Sequence, residues 1–379
     1  MPHLLNLHHL FRASTAFRCT LPAISVAHSS TRSLCSSGEG KKTKVAVFDC
    51  KYLKKQLDEK LADTRPDIEF TYYDSLLTRE TATLAAGHDA VSLFVNGQIE
   101  APTADALKRH GVGMIALRCA GFNHVDVNAC KELGLSVATV PAYSPYAVAE
   151  FTVALLMCLN RKVVTAYNRI RNGNFALEGL GGFDVHGKTI GVLGTGKIGF
   201  AFCSIMLGFG CKILAVDPYP NPHLVDNPNV QYVSNNEMFE LSDVIALFAP
   251  ATKENHHIVN RYSIGRMKPG VMILNTARGS LVKTADLVDA IVDKRVGAAG
   301  LDVLEEEGDL FYTDHSEHIL KNPYVSRILT LPNVILTSHM SFLTQEALSN
   351  IAETTMFNIG EFADGKRMHE LTNSVLPKD

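Results

Sequence analysis

The run GVLGTGKIG, residues 191–199, is the stretch on which the fold turns. A short β-branched and apolar run, Thr189 to Leu193, precedes its second glycine, and a helical pattern from Phe200 to Gly208 follows it. In that strand–turn–helix context, Gly194 permits the tight turn and Gly196 lets the backbone approach a pyrophosphate. Gly199 lets helix and strand pack closely. The helix N-terminus then offers free N–H groups and the positive end of its dipole to phosphates. A second predicted strand, Lys212–Val216, ends at Asp217, 18 residues past Gly199. A carboxylate there accepts hydrogen bonds from adenosine ribose hydroxyls and repels a 2′-phosphate. The following Pro218, Tyr219 and Pro220 supply no arginine for such a phosphate. The expectation is an NAD site rather than an NADP site.

Outward from this motif the chain alternates strands and helices, which implies parallel βαβ units. On the N-terminal side, strands are predicted at Lys44–Asp49, Ile68–Tyr72, Ala90–Val95 and Met114–Arg118. Helices are predicted at Tyr52–Leu61, Leu76–Ala86, Ala101–His110 and Val125–Leu133. Ser144 and Pro145 suit the N-cap and first position of a long helix, read as the bridge to a second domain. Beyond the glycine motif, strands are predicted at Asp243–Phe248, Val271–Asn275, Ala298–Leu301 and Val334–Thr337. A last helical pattern, from about Ser341 to Phe362, is expected to pack back on the first domain. The expected fold is α/β, with two Rossmann-like or flavodoxin-like parallel-sheet domains and the active site in the cleft between them. The boundaries are residues 43–142 for the first part of a substrate domain, 143–338 for the dinucleotide domain, and 339–379 for the return.

Residues 1–42 stand apart. No Asp or Glu occurs from Met1 to Gly38, while Arg12, Arg18, Arg32 and many Ser and Thr do. That is the composition of a transit peptide, the alternative being a disordered leader. It points to a mitochondrion first, then a plastid, then the cytoplasm. The whole chain has 46% hydrophobic and 20% charged residues and a formal net charge of −3. This excludes a general basic field for nucleic acid, and no apolar run approaches the roughly 20 residues of a membrane span. The eight cysteines include no C-x-x-C and none at zinc-finger spacing, so no metal site is expected and they read as small buried hydrophobes.

Three segments at predicted strand ends carry chemistry, because ligands of such sheets bind outside the carboxyl ends of the strands. Arg278 follows strand Val271–Asn275. Its planar fork suits a carboxylate and an adjacent keto oxygen, although a lone arginine there also fits a surface ion pair. Asp302 ends the next strand and precedes Glu305, Glu306 and Glu307, a run that alone reads as a solvated acidic face. His339 follows Val334–Thr337. Histidine exchanges protons near neutral pH, and a nearby carboxylate would orient its ring; alone it also fits a structural role.

The ordered set of glycine motif, T-A-R-G at Thr276–Gly279, G-L-D-V at Gly300–Val303 with its glutamates, and S-H-x-x-F at Ser338–Phe342 resembles the D-2-hydroxyacid dehydrogenase family. Within it, Leu117–Asn123, Val140–Pro145, Asp217–Pro220 and the segment from Gly308 to about Leu331 are most similar to the fermentative NAD-dependent D-lactate dehydrogenases. The resemblance implies that Arg278 binds and polarises a 2-keto acid, His339 is the acid–base, and Glu307, five residues past Asp302, hydrogen-bonds it. It implies that backbone amides of Ala120 and Gly121, with Tyr143, meet the substrate carboxylate, and that Phe342 closes the pocket around pyruvate's methyl group. It places Lys197 and Ile198 beside the pyrophosphate. Ala249, Pro250, Asn255, Thr276, Ala277 and Asp302 fall along the nicotinamide half. It also implies a homodimer or homotetramer, with a dimer expected through the long helix of the cofactor domain. The alternatives are a broader reductase of hydroxypyruvate, glyoxylate or phenylpyruvate, and, in another class, an NAD(H)-sensing corepressor-like binding protein.

Overall fold

The computed structural model describes residues 42–377 apart from 51–52, 306 and 309. The arginine- and serine-rich leader and Glu306 therefore lie outside the described residues. Two all-parallel sheets organise the rest. The first contains β1 (Thr43–Phe48), β2 (Ile68–Tyr73), β3 (Ala90–Leu93), β4 (Met114–Leu117) and β5 (Ser136–Ala138), in the order β2-β1-β3-β4-β5. Strands β3, β4 and β5 are buried at every position, as expected of parallel strands covered by helices on both faces. Those helices include α1 (Lys54–Thr64), α2 (Ala101–Arg109) and α3 (Val127–Glu132).

The second sheet has seven strands. They are β6 (Thr189–Leu193), β7 (Lys212–Val216), β8 (Val230–Tyr232), β9 (Val244–Leu247), β10 (Val271–Asn275), β11 (Val296–Leu301) and β12 (Val334–Leu336). Their order is β12-β11-β10-β9-β6-β7-β8. The chain leaves β6 toward β7 on one side and later returns to β9 on the other. That reversal opens a crevice at the carboxyl ends of β6 and β9, where a dinucleotide is expected.

Helix α4 (Pro145–Asn160) links the two sheets. Ser144 caps it by accepting a 3.2 Å hydrogen bond from the Ala147 N–H, and its buried face, with Leu155, Leu156 and Leu159, joins the core of the second sheet. A shorter α5 (Val163–Arg171) follows with no buried residue. After β12 the chain returns through α12 (Gln345–Ala363), whose Leu348, Ile351, Met356, Ile359 and Phe362 are buried in the core of the first sheet. Burying a side chain of this kind contributes about 1.5–3 kcal/mol, so the C-terminal helix is a structural part of the N-terminal layer. Asn358 ties it there by donating 2.8 Å to the Thr139 carbonyl.

Three local readings change. The segment 76–86 is a 3₁₀ turn at Thr81–Ala85 rather than a helix. Thr81 Oγ1 donates to the Leu76 carbonyl at 2.7 Å and accepts from Thr78 N–H at 2.8 Å, and such side-chain bonds compete with the helical ladder. Strands β5 and β8, three residues each, were not expected. No helix among the described residues is long and apolar enough to cross a membrane.

Candidate active site

The glycine motif builds the crevice floor. Gly194 has φ +94° and packs so closely on the next strand's end that a Cβ would lie 2.7 Å from the Ala249 nitrogen. A Cβ on Gly199 would fall 2.0 Å from the Gly194 carbonyl oxygen. Gly196, by contrast, faces open space with nothing within 4 Å. It is the N-cap of α6 (Lys197–Gly208), so the first N–H groups of that helix lack a capping side chain and face a groove of about 290 Å³. Ala120, Tyr143, Lys197, Ile198 and Phe248 line that groove. A cradle that glycines leave empty, on an uncapped helix start, fits a pyrophosphate.

Asp217 sits at the end of β7. Its Oδ2 accepts from the Thr195 N–H at 2.6 Å and the Thr195 hydroxyl at 3.1 Å, and its Oδ1 accepts from the Tyr219 N–H at 2.8 Å. These bonds aim a carboxylate beside the glycine turn. Farther along the crevice, Thr276 is buried with its hydroxyl 2.8 Å from that of Thr152, and Ala277 and Ala249 lie at the ends of β10 and β9. Asn255 ties the loop after Pro250: its Nδ2 donates to the Pro250 carbonyl at 2.7 Å and its Oδ1 accepts from the Thr252 N–H at 2.7 Å.

A second cavity, of about 230 Å³, adjoins the groove through Ala120 and Tyr143, which line both. Arg278, Glu307 and His339 converge on it. Asn275 shapes the arginine's turn, accepting from the Ala277 N–H at 3.1 Å and donating to the Arg278 carbonyl at 2.9 Å. The guanidinium donates to the Ala277 carbonyl at 2.7 Å. Its Nη2 reaches across to the first domain, 2.9 Å from where a Cβ on Gly121 would stand. Glycine at 121 is thus what lets the arginine approach the Ala120–Gly121 backbone.

His339 Nδ1 lies 3.4 Å from Glu307 Oε1. The histidine's backbone has φ +53°, a left-handed conformation that costs a non-glycine residue about 1–3 kcal/mol and persists only where its surroundings over-determine it. They do here. The His339 N–H donates to the Asp302 carbonyl at 2.7 Å, and the Tyr312 hydroxyl donates to the His339 carbonyl at 2.8 Å. Asp302 is fully buried. Its carboxylate accepts from the Thr337 hydroxyl at 2.5 Å, the Met340 N–H at 2.9 Å and the Ser341 N–H at 2.8 Å. Both its oxygens are thus engaged with the loop that carries the histidine, and so help to position it. Phe342 is buried between Phe94 and Tyr143, with ring centroids 5.6 and 6.0 Å away.

The structure adds residues that sequence reasoning did not single out. Tyr312 supports His339 as above, and nothing in its local pattern announces it. Arg118, 1% exposed, lines the cavity and donates to the Phe48 and Asp49 carbonyls at 2.7 and 2.6 Å. It carries the same signal as Arg278, a cation closing an apolar strand. His124 also lines the cavity, and burial pushes its imidazole down to about 4. Burial pushes the Cys119 thiol up to about 12 and raises the phenols of Tyr143 and Tyr312.

Residues 153–341 match the family model described as D-isomer specific 2-hydroxyacid dehydrogenase, NAD binding domain. D-lactate dehydrogenase of Escherichia coli is 46% identical over 324 residues, 85% of this chain and 98% of that protein. Its apo-structure superposes with a TM-score of 0.79 at 43% identity, covering 88% of this chain and 99% of the other. A structure of the pyruvate reductase of Chlamydomonas reinhardtii gives a TM-score of 0.81 at 40% identity, with 87% and 98% covered. The chain belongs to the D-isomer specific 2-hydroxyacid dehydrogenase family. It is accordingly an NAD-dependent oxidoreductase acting on a small hydroxy acid.

Proposed function

We propose that this enzyme interconverts pyruvate and D-lactate. The observation that carries the reading is the convergence of Arg278, Glu307 and His339 on one cavity beside the dinucleotide crevice. The similarity to D-lactate dehydrogenase of Escherichia coli and to the pyruvate reductase of Chlamydomonas reinhardtii supports it.

Gly194–Gly199 and Asp217 would hold the cofactor, with Ala249, Pro250, Asn255, Thr276 and Ala277 along its nicotinamide half. When bound, NADH supplies the hydride delivered to the keto carbon. Arg278 binds the substrate carboxylate and steadies charge developing on the carbonyl oxygen. The Ala120 and Gly121 amides and the Tyr143 hydroxyl orient the carboxylate, and Phe342 closes on the methyl group. His339 gives its proton to the forming alkoxide and takes it back in lactate oxidation. Glu307, 3.4 Å from Nδ1, orients the ring. Closure of the two domains excludes water. Initial rates with pyruvate, hydroxypyruvate, glyoxylate and phenylpyruvate, with chiral analysis of the product, test the assignment. A larger kcat/KM for any of the other three than for pyruvate, or an L product, overturns it.

Cofactor preference follows from Asp217. NADH is expected to give a higher kcat/KM than NADPH, because the carboxylate held by Thr195 and Tyr219 opposes a 2′-phosphate. Asp217→Ala should narrow the ratio. Equal values for both cofactors in the parent enzyme would sink the idea.

Assembly is proposed as a homodimer. Helix α5 and the segment after it expose Val163, Tyr167, Ile170, Phe175 and Leu177, the last at 81%, an apolar patch of the kind that marks an interface. It continues directly from α4. Light scattering coupled to gel filtration should give twice the chain mass, and Phe175→Asp with Leu177→Asp should halve it. A parent that runs as a monomer refutes the assignment.

The leader is proposed to direct import into a mitochondrion, on the strength of its acid-free, arginine-bearing composition. N-terminal sequencing of the native protein should begin near residue 40; an intact Met1 on a cytosolic protein rejects the proposal.

A further inference from the structure

His256 and His257 stack with ring centroids 3.8 Å apart. His257 Nε2 lies 2.5 Å from Glu305 Oε1. One ligand atom from each of the three residues falls within 4.8 Å of the others. None of the three lines the catalytic cavity. We propose that His256, His257 and Glu305 form a site for a borderline divalent transition metal, Zn²⁺ foremost. The metal would clamp the segment bearing Glu307 to the loop before α9 (Arg261–Arg266).

The ligands stand on fixed backbone. The His257 N–H donates to the Ser280 carbonyl at 2.8 Å, and Asn260 Nδ2 donates to the His257 carbonyl at 2.7 Å. On the other side, Gly279 packs so tightly that a Cβ would lie 1.9 Å from the Leu304 carbonyl oxygen and 2.5 Å from the Glu305 nitrogen. Glu305 is therefore held by the turn that follows Arg278. A tetrahedral metal would be bound by these atoms at about 2.0–2.2 Å.

The donor set selects the ion. Two imidazoles and a carboxylate favour zinc, nickel or copper over magnesium or calcium, which take all-oxygen sets. Three protein ligands leave one position for water. The neighbouring cations do not oppose the metal strongly, because Arg261 and Lys283 are both drawn to Asp286, at 3.1 and 3.8 Å.

Glu305 lies two residues before Glu307. A metal on it restrains the stretch that presents the carboxylate to His339. Binding itself does not depend on the proposed substrate, so the test uses no turnover. The full-length enzyme loaded with NADH is titrated with Zn²⁺ and read by two peptide-resolved methods. Zn²⁺ should protect His256 and His257 from acylation by diethyl pyrocarbonate, and should slow amide exchange of residues 303–308. Both effects should be absent with Mg²⁺. His256→Asn, at an exposed position, should weaken both by at least about 10–100-fold, since losing even an outer-shell partner costs a metal site that much. Glu305→Gln should do the same. The proposal is overturned if Zn²⁺ protects other histidines while His256 and His257 stay reactive, if Mg²⁺ acts equally well, or if His256→Asn responds as the parent does.

Discussion

Arg278→Gln is expected to lower kcat/KM for pyruvate by about 10²–10³-fold, equivalent to ~2.7–4 kcal/mol of transition-state stabilisation. The side chain leaves the end of β10 through a turn that Asn275 holds from both sides. Its guanidinium reaches the glycine of the opposite domain. It is therefore placed where a carboxylate on the Ala120–Gly121 amides and a neighbouring keto oxygen would both meet it. Glutamine keeps some hydrogen-bonding capacity but loses the charge and the fork. Arg278→Lys should recover only part of the loss, because lysine is a point charge that cannot bind a carboxylate side-on. Asp217 and the glycine cradle are untouched by either change, so NADH affinity, read by fluorescence, should stay at the parent value. Near-parent pyruvate reduction by Arg278→Gln would remove the arginine from the site.

How much of this was legible in the sequence depends on how local each cause is. The glycine turn, Asp217, Arg278, Asp302 and His339 each close a short apolar run, and a parallel sheet puts the ends of such runs on one edge. Their common location could be argued before any coordinates. The return of α12 to the first sheet was legible for a similar reason, as a helical pattern after the last strand. What escaped depends on partners distant in sequence. The close approach of Arg278 to Gly121 is one such case, since the arginine comes from another domain. Tyr312 matters because its hydroxyl meets the His339 carbonyl. Asp302 was expected along the nicotinamide; that its carboxylate also holds the 337–341 loop by three bonds depends on partners some 35–39 residues away. The misread helix at 76–86 failed for a local reason instead, since threonine side chains took the backbone partners that a helix needs.

His339→Gln is expected to cost about 10²–10⁴-fold in kcat in both directions, the usual contribution of a positioned acid–base, while NADH still binds. The pH profile identifies the group further. Reduction needs the charged ring, because the alkoxide must receive a proton, so its rate falls toward alkaline pH. Oxidation needs the neutral ring and falls toward acid pH. Other titratable side chains around the cavity are poor sources of these limbs. Burial holds His124 neutral, with its imidazole down at about 4, and keeps the Cys119 thiol up at about 12. It likewise raises the Tyr143 and Tyr312 phenols, which stay protonated. Both limbs should therefore vanish from the residual activity of His339→Gln. Glu307→Gln keeps the shape but removes the charge 3.4 Å from Nδ1. Such a contact tightens into a hydrogen bond in the substrate complex, and a hydrogen bond to a charged group contributes about 1.5–3 kcal/mol, so kcat for reduction should drop about 10–10²-fold. The KM for pyruvate should change little, because Arg278 and the Ala120–Gly121 amides still hold the carboxylate. Full kcat in Glu307→Gln would remove that carboxylate from the mechanism. Glu305 is a poor substitute, since its oxygen is already engaged by His257. Retention of either pH limb in His339→Gln would move the proton transfer to another group.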